Sequence, residues 1–245
     1  MSWSLHTYAN PTRFMALSGT VLPYLWVLAA GFIATGLYQG VFVAPPDYQQ
    51  GDSVRMMYIH VPAAWLSQFG YGLMAVASAT ALIFRHPLAD VAAKSAAPIG
   101  AAFTFLALVT GALWGKPMWG TYWVWDARLT SVLVLFFLYL GYMALWATIE
   151  DPNRAARTAA VLALVGAVNL PIIRFSVDWW NTLHQPASVF RLDGPTIHPS
   201  LLWPLLISAI GFTLFFVAVH LVRMRAEILR RRVRTLQLQR AAGGS

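Results

Sequence analysis

Long apolar runs alternate with short polar stretches along the whole chain. Six runs are long enough, or nearly so, to cross a bilayer as a helix of about 20 residues. They occupy 19–42, 58–84, 96–113, 129–148, 156–175 and 201–222. The third and fifth are the shortest, and the third carries Pro98 near its start. A spanning segment must satisfy its own backbone N–H and C=O groups, and separate runs of this length do so as helices. The predicted fold is an all-α membrane protein, a bundle of six transmembrane helices forming a single polytopic domain over 1–245, with 223–245 as a basic tail. Small residues crowd the second run around Gly72, Ala75, Ala77 and Ala79, giving a face on which helices pack closely. We find no internal repeat and no separate soluble domain.

Composition strengthens this picture. The chain is 58% hydrophobic and 11% charged, too little charge to cover a soluble domain. A net charge of +8 would suit nucleic acid, but the cations gather at alternate ends of the runs. Arg13, Arg85, Lys94, Arg154, Arg157 and the tail residues Arg223, Arg225, Arg230, Arg231, Arg232, Arg234 and Arg240 fall on one side, twelve in all. Arg55, Lys116, Arg128, Arg174 and Arg191, five in all, fall on the other. This bias predicts that both termini are cytoplasmic. The first run is too long for the core of a cleavable leader and lacks a small-x-small site, so it is expected to remain as a span. The absence of cysteine excludes disulfides, iron–sulfur clusters and thiolate ligands, leaving His, Met or carboxylate for any metal. No Gly-x-x-x-x-Gly-Lys-Ser/Thr loop is present, which excludes a phosphate-loop ATPase.

The loops on the cation-poor side, about 43–57, 114–128 and 176–200, hold the unusual chemistry. The second has four tryptophans and a tyrosine in fifteen positions: Trp114, Trp119, Tyr122, Trp123 and Trp125. Gly115, Pro117 and Gly120 are expected to break the helix at its start, with a short interfacial helix from Thr121 into the fourth span. A belt of interfacial aromatics accounts for one or two tryptophans, not four. Indoles offer wide apolar faces and one N–H donor, a platform for a large flat ligand. Lys116 and Arg128 flank it and suit ligand carboxylates. Asp126 either touches the ligand or caps the next helix, and the cap is at least as well supported.

Of six histidines, His6, His86, His198 and His220 read as surface, loop or packing residues. His60 opens the second span, and His184 follows a second aromatic cluster at Trp179 and Trp180. Each alone is most simply a hydrogen-bonded structural residue. Together, on the same side as the tryptophan loop, they suit the two axial positions of a heme iron, for which neutral imidazole is a common ligand. Three alternatives stay open. A heme transporter would need polar residues along an internal path, and the spans offer little beyond Thr104, Thr110, Asn169 and Ser208. A quinone-linked oxidoreductase subunit would place paired histidines within spans. A ligand-free structural subunit would use its aromatic loops only for a partner.

The segment Trp119-Gly120-Thr121-Tyr122-Trp123-Val124-Trp125-Asp126 resembles the WWD motif of heme-handling proteins. Its flanks, Tyr58-Ile59-His60-Val61-Pro62 and Trp179-Trp180-Asn181-Thr182-Leu183-His184-Gln185, narrow the resemblance to the CcmC family of cytochrome c maturation, over nearly the whole chain. That resemblance implies an inner-membrane protein with heme b on the periplasmic face. It makes His60 and His184 axial ligands and Trp114, Trp119, Trp123 and Trp125 the platform. Arg128 becomes a propionate partner, with Arg55 a weaker candidate. It further implies a heme-handling and presentation protein and not an enzyme, with room for lyase-like assistance when heme is attached to the chaperone. Such a protein presents heme to the chaperone CcmE and works beside CcmD and the transporter subunits CcmA and CcmB.

Overall fold

The structure, a computed structural model, describes residues 10–186, 188–189 and 191–243. Each helix begins or ends where the local sequence dictates. The Asn10 side chain accepts from Thr12 N–H at 2.8 Å, and Pro11 takes the first helical position. Helix α1 spans Pro11–Tyr38 and runs on through a π-helical turn, Gln39–Val43. A short 3₁₀ turn, Asp52–Met56, feeds α2, Met57–Phe84. Then follow α3 (Ala89–Trp119), α4 (Ala127–Thr148), α5 (Pro152–Gly166), α6 (Asn169–Trp179) and α7 (Pro199–Gly243). Among the described residues there is no strand, only one isolated bridge between Asp47 and Gly51. Six helical segments are long and apolar enough to cross a membrane, with α5 and α6 together forming the fifth.

Three boundaries differ from the hydropathy reading, each for a local reason. Helix α3 continues through Gly115 and Pro117 to Trp119. Pro117 lies so near the helix end that it forfeits only its bond to the Leu113 carbonyl. Gly120, at φ 76°, then closes the helix in the left-handed conformation that glycine tolerates, with its N–H on the Lys116 carbonyl at 3.0 Å. The expected interfacial helix after Thr121 does not form. The Thr121 hydroxyl instead donates to the Trp123 carbonyl at 3.0 Å, and α4 starts only at Ala127. The fifth span is broken because Pro171 has no N–H to offer the Ala167 carbonyl, which accepts from Leu170 N–H at 3.0 Å.

The centre of the bundle lies where α2, α3 and α4 meet. Tyr71 and Tyr139 pack edge to face at 5.0 Å, and the Tyr139 hydroxyl donates to the Ser67 carbonyl at 2.8 Å. Helix α1 sits apart, packed chiefly on α7. A Cβ at Gly36 would come 2.5 Å from Ser208 Oγ, and one at Gly211 would come 2.6 Å from the Ile33 nitrogen. The two backbones therefore touch.

Alternating spans create two ends. The helix starts at Pro11, Ala89 and Pro152 share one end with the later part of α7. There Met224 and Ile228 are buried against Leu88 and Val91. Glu227 meets Lys94 at 3.1 Å, Arg230 at 2.7 Å and Arg231 at 2.9 Å, and Arg231 also reaches Asp90 at 2.8 Å. The basic tail from residue 223 is thus a continuation of α7, and its last two residues lie outside the described chain, as does His6. The opposite end carries 44–56, 120–126 and the described residues between α6 and α7.

Candidate functional site

His60 projects from the first turn of α2 into a hollow on α3. Gly111 makes that hollow: a Cβ there would sit 2.9 Å from the His60 Cε1 atom. The ring's Nδ1 lies 3.0 Å from the Thr110 hydroxyl oxygen. Thr110 already donates its proton to the Leu106 carbonyl at 2.7 Å, so toward His60 its oxygen can only accept. Nδ1 therefore carries the proton and Nε2 the bare lone pair. Trp114, one helical turn beyond Thr110, stands edge to face with the ring at 5.6 Å. Its indole N–H donates to Gln50 Oε1 at 3.1 Å, and Ser53 lies 3.6 Å from the Met118 sulfur, so the first loop is pinned to the end of α3.

His184 reaches the same electronic state by another route. Its Nδ1 is 2.9 Å from the Gln185 carbonyl, which can only accept, and Nε2 is again left unprotonated. Burial, and then the Arg128 charge, hold its pKa below the ordinary imidazole value, so the ring is neutral at pH 7. Trp119, the last residue of α3, lies 6.4 Å away between ring centroids. His184 and Arg128 both lie within electrostatic reach of His60.

Asp126 joins the tryptophan segment to the His184 loop. One carboxylate oxygen caps α4 by accepting from Leu129 N–H at 2.8 Å. The other accepts from Leu183 N–H at 3.3 Å. Between Gly120 and Asp126 the chain presents Trp123 and Trp125 edge to face at 5.4 Å. Trp125 is 77% exposed, whereas the Trp123 indole N–H is buried with no partner among the described residues.

The cations at this end are partly engaged. Arg128 binds α6 through Nε to Ser176 Oγ at 3.2 Å and through Nη2 to the Ile173 carbonyl at 3.1 Å. Arg55 pairs with Asp52 at 2.9 Å and donates to the Val41 carbonyl, bracing the first loop. Lys116 donates to the Gly120 carbonyl at 2.9 Å. The remaining described histidines have local partners or packing: His198 Nδ1 accepts from Ser200 N–H at 3.3 Å at the start of α7. His86 Nδ1 accepts from Leu88 N–H at 3.2 Å, and His220 stacks on Phe216 at 6.1 Å.

The structure thus gathers His60, Trp114, Trp119, Trp123, Trp125, Arg128 and His184 at one end. Arg55 stands slightly apart as a brace. Sequence reasoning missed Thr110, Gly111, Gln50 and Ser176. The one available signal was the hydroxyl and missing Cβ at Thr110 and Gly111, one helical turn before Trp114.

The chain is thus a bundle of helices long and apolar enough to cross a membrane, with two imidazoles and four indoles gathered at one end. The family model described as "Heme exporter protein C", CcmC, matches residues 4–239. Proteins named heme exporter protein C are similar throughout. That of Bradyrhizobium diazoefficiens is 67% identical over 96% of this chain and 89% of its own. That of Haemophilus influenzae is 49% identical over 92% of each, and that of Escherichia coli K12 49% identical over 92% of this chain and 91% of its own. The chain belongs to the heme exporter protein C family.

Proposed function

We propose that this protein binds heme b at the periplasmic face of the inner membrane and presents it to the heme chaperone CcmE during cytochrome c maturation. Heme is its cargo, and the covalent step takes place on the chaperone. The observation that carries the reading is the matched pair of imidazoles. His60 and His184 come from separate segments, yet each commits Nδ1 to a hydrogen bond and leaves Nε2 open. That is the donor state an axial iron ligand needs. The buried, unpartnered Trp123 N–H supports a polar ligand group beside the platform.

In this assignment the four tryptophans fix the heme plane. Arg128 offers a propionate its Nη1 group, which holds no hydrogen bond among the described residues, and Arg55 contributes from farther away. One ring edge stays open toward the periplasm, where CcmE docks on the exposed Trp125 side. Both termini are cytoplasmic, as the twelve-to-five cation bias supports. CcmD, CcmA and CcmB are the membrane partners, and the protein holds and presents heme without a nucleophile and base of its own.

A pyridine hemochrome assay on purified protein tests this directly. Wild type should carry heme, and a His60→Ala/His184→Ala double variant should emerge colourless. Equal heme in both would overturn the assignment, as would a reporter fusion that places the tryptophan segment in the cytoplasm.

A further inference from the structure

Thr110 lies within the third span and is buried. Threonine within a helix commonly donates back to a carbonyl four residues earlier, and Thr104 on the same helix does so to Gly100 at 2.7 Å with no other partner among the described residues. Thr110 makes the same bond to Leu106 but uses its oxygen a second time, toward His60 Nδ1. The back-bond is what gives the contact its direction. Because the hydroxyl proton is committed, the oxygen facing His60 is an obligatory acceptor, and together with the Ala107 carbonyl, which also accepts from the ring, it holds the imidazole proton on Nδ1. Gly111 completes the device, since any side chain there would push the ring off the α3 surface.

We propose that Thr110 is a positioning residue for the heme site. It selects the His60 tautomer that offers Nε2 to iron and, with Gly111, sets the ring's orientation. The inference rests on the heme reading above and goes beyond it by naming the group that prepares one ligand. His184 has no equivalent side chain: its Nδ1 bonds the neighbouring Gln185 carbonyl in its own loop. The two ligands are therefore unequal. The His60 Nδ1 is held by a side chain of a neighbouring helix, whereas the His184 Nδ1 is held by a carbonyl of its own loop, itself tied to the tryptophan segment through Asp126. His184 is then the ligand that can let go first when heme leaves.

The experiment compares four purified variants: Thr110→Val, Thr110→Ser, Thr104→Val and His60→Ala. Heme content, the visible spectrum and the midpoint potential are read on each, with apo-protein melting as the check on folding. Thr110→Val keeps the shape and removes the acceptor. It should weaken heme binding about tenfold, as losses of such outer hydrogen bonds do. It should also raise the midpoint potential, because an imidazole that donates more weakly from Nδ1 is a poorer ligand for ferric iron. Thr110→Ser should return both to wild type. Thr104→Val loses only a back-bond and should change neither.

If His60→Ala loses the wild-type spectrum while Thr110→Val keeps wild-type affinity and potential, the positioning role is wrong and the ligand assignment stands. The positioning role is equally wrong if Thr110→Ser is as impaired as Thr110→Val. If His60→Ala itself binds heme normally, the heme reading falls and this inference with it. Should Thr110→Val fail to fold, Thr110→Ala removes the same acceptor and is held to the same outcomes.

Discussion

At the arginine end, Glu227 meets three cations and Arg231 also reaches Asp90, so the charged groups there answer one another, although the buried Trp146 N–H beside Lys94 has no partner among the described residues. At the tryptophan end, His60 and His184 each spend one ring nitrogen and keep the other, and the Trp123 N–H has no partner among the described residues. The first arrangement is closed and holds helices in register. The second leaves hydrogen-bonding and metal-binding capacity in reserve. In a chain with so few charges, a buried polar group left open is more informative than one that is paired. The contrast separates an end whose charges are paired from one where imidazole nitrogens remain open.

The contrast can be broken most sharply at the histidines. The His60→Ala/His184→Ala variant should lose essentially all bound heme by the hemochrome assay while melting near the wild-type temperature in detergent. A collapse of the fold would show that the tryptophan end is structural as well. The mirror experiment is Glu227→Ala, which leaves Lys94, Arg230 and Arg231 without their shared anion. It should cost about 2 kcal/mol in unfolding measurements, less than for a fully buried pair because the cations reach solvent. Heme per folded molecule should not change, and heme loss in this variant would erase the distinction between the ends.

Asp126→Ala removes the α4 cap and the tie to Leu183 together. The cap is worth about 1 kcal/mol. The His184 loop should loosen as well, so heme dissociation should quicken by more than that stability loss accounts for. Unchanged dissociation would mean that the loop is held elsewhere. The smallest effect is expected from Trp123→Phe, which keeps the ring and deletes the N–H. Loss of one neutral hydrogen bond of about 1 kcal/mol corresponds to roughly a fivefold fall in heme affinity. Wild-type affinity would leave that donor without a role.

The six spans were legible in the hydropathy pattern because lipid demands continuous apolar helices. The aromatic loop and the two histidines were legible because such residues are conspicuous in a polar segment. Arg128 was only half legible. Its charge suggested a ligand partner, but its bonds to Ser176 and the Ile173 carbonyl lie more than forty residues away and follow from how α4 meets α6. Thr110 looked like a stray polar residue in an apolar run. Its significance depends on His60, fifty positions earlier, facing it across a helix contact. The run through Gly115 and Pro117 was misjudged because helix breakers act weakly in a final turn, where few bonds remain to be lost.

The close seating of Gly36 on Ser208 and of Gly211 on Ile33 bears on how the molecule is assembled. Synthesis delivers α1 well before its principal neighbour, α7. Until some 160 further residues have been made, α1 can only wait in lipid with its bare glycine seam uncovered. The union of α1 with α7 therefore has to follow synthesis of all the intervening spans, and a ribosome that stalls before α7 leaves behind a bundle with a loose strut.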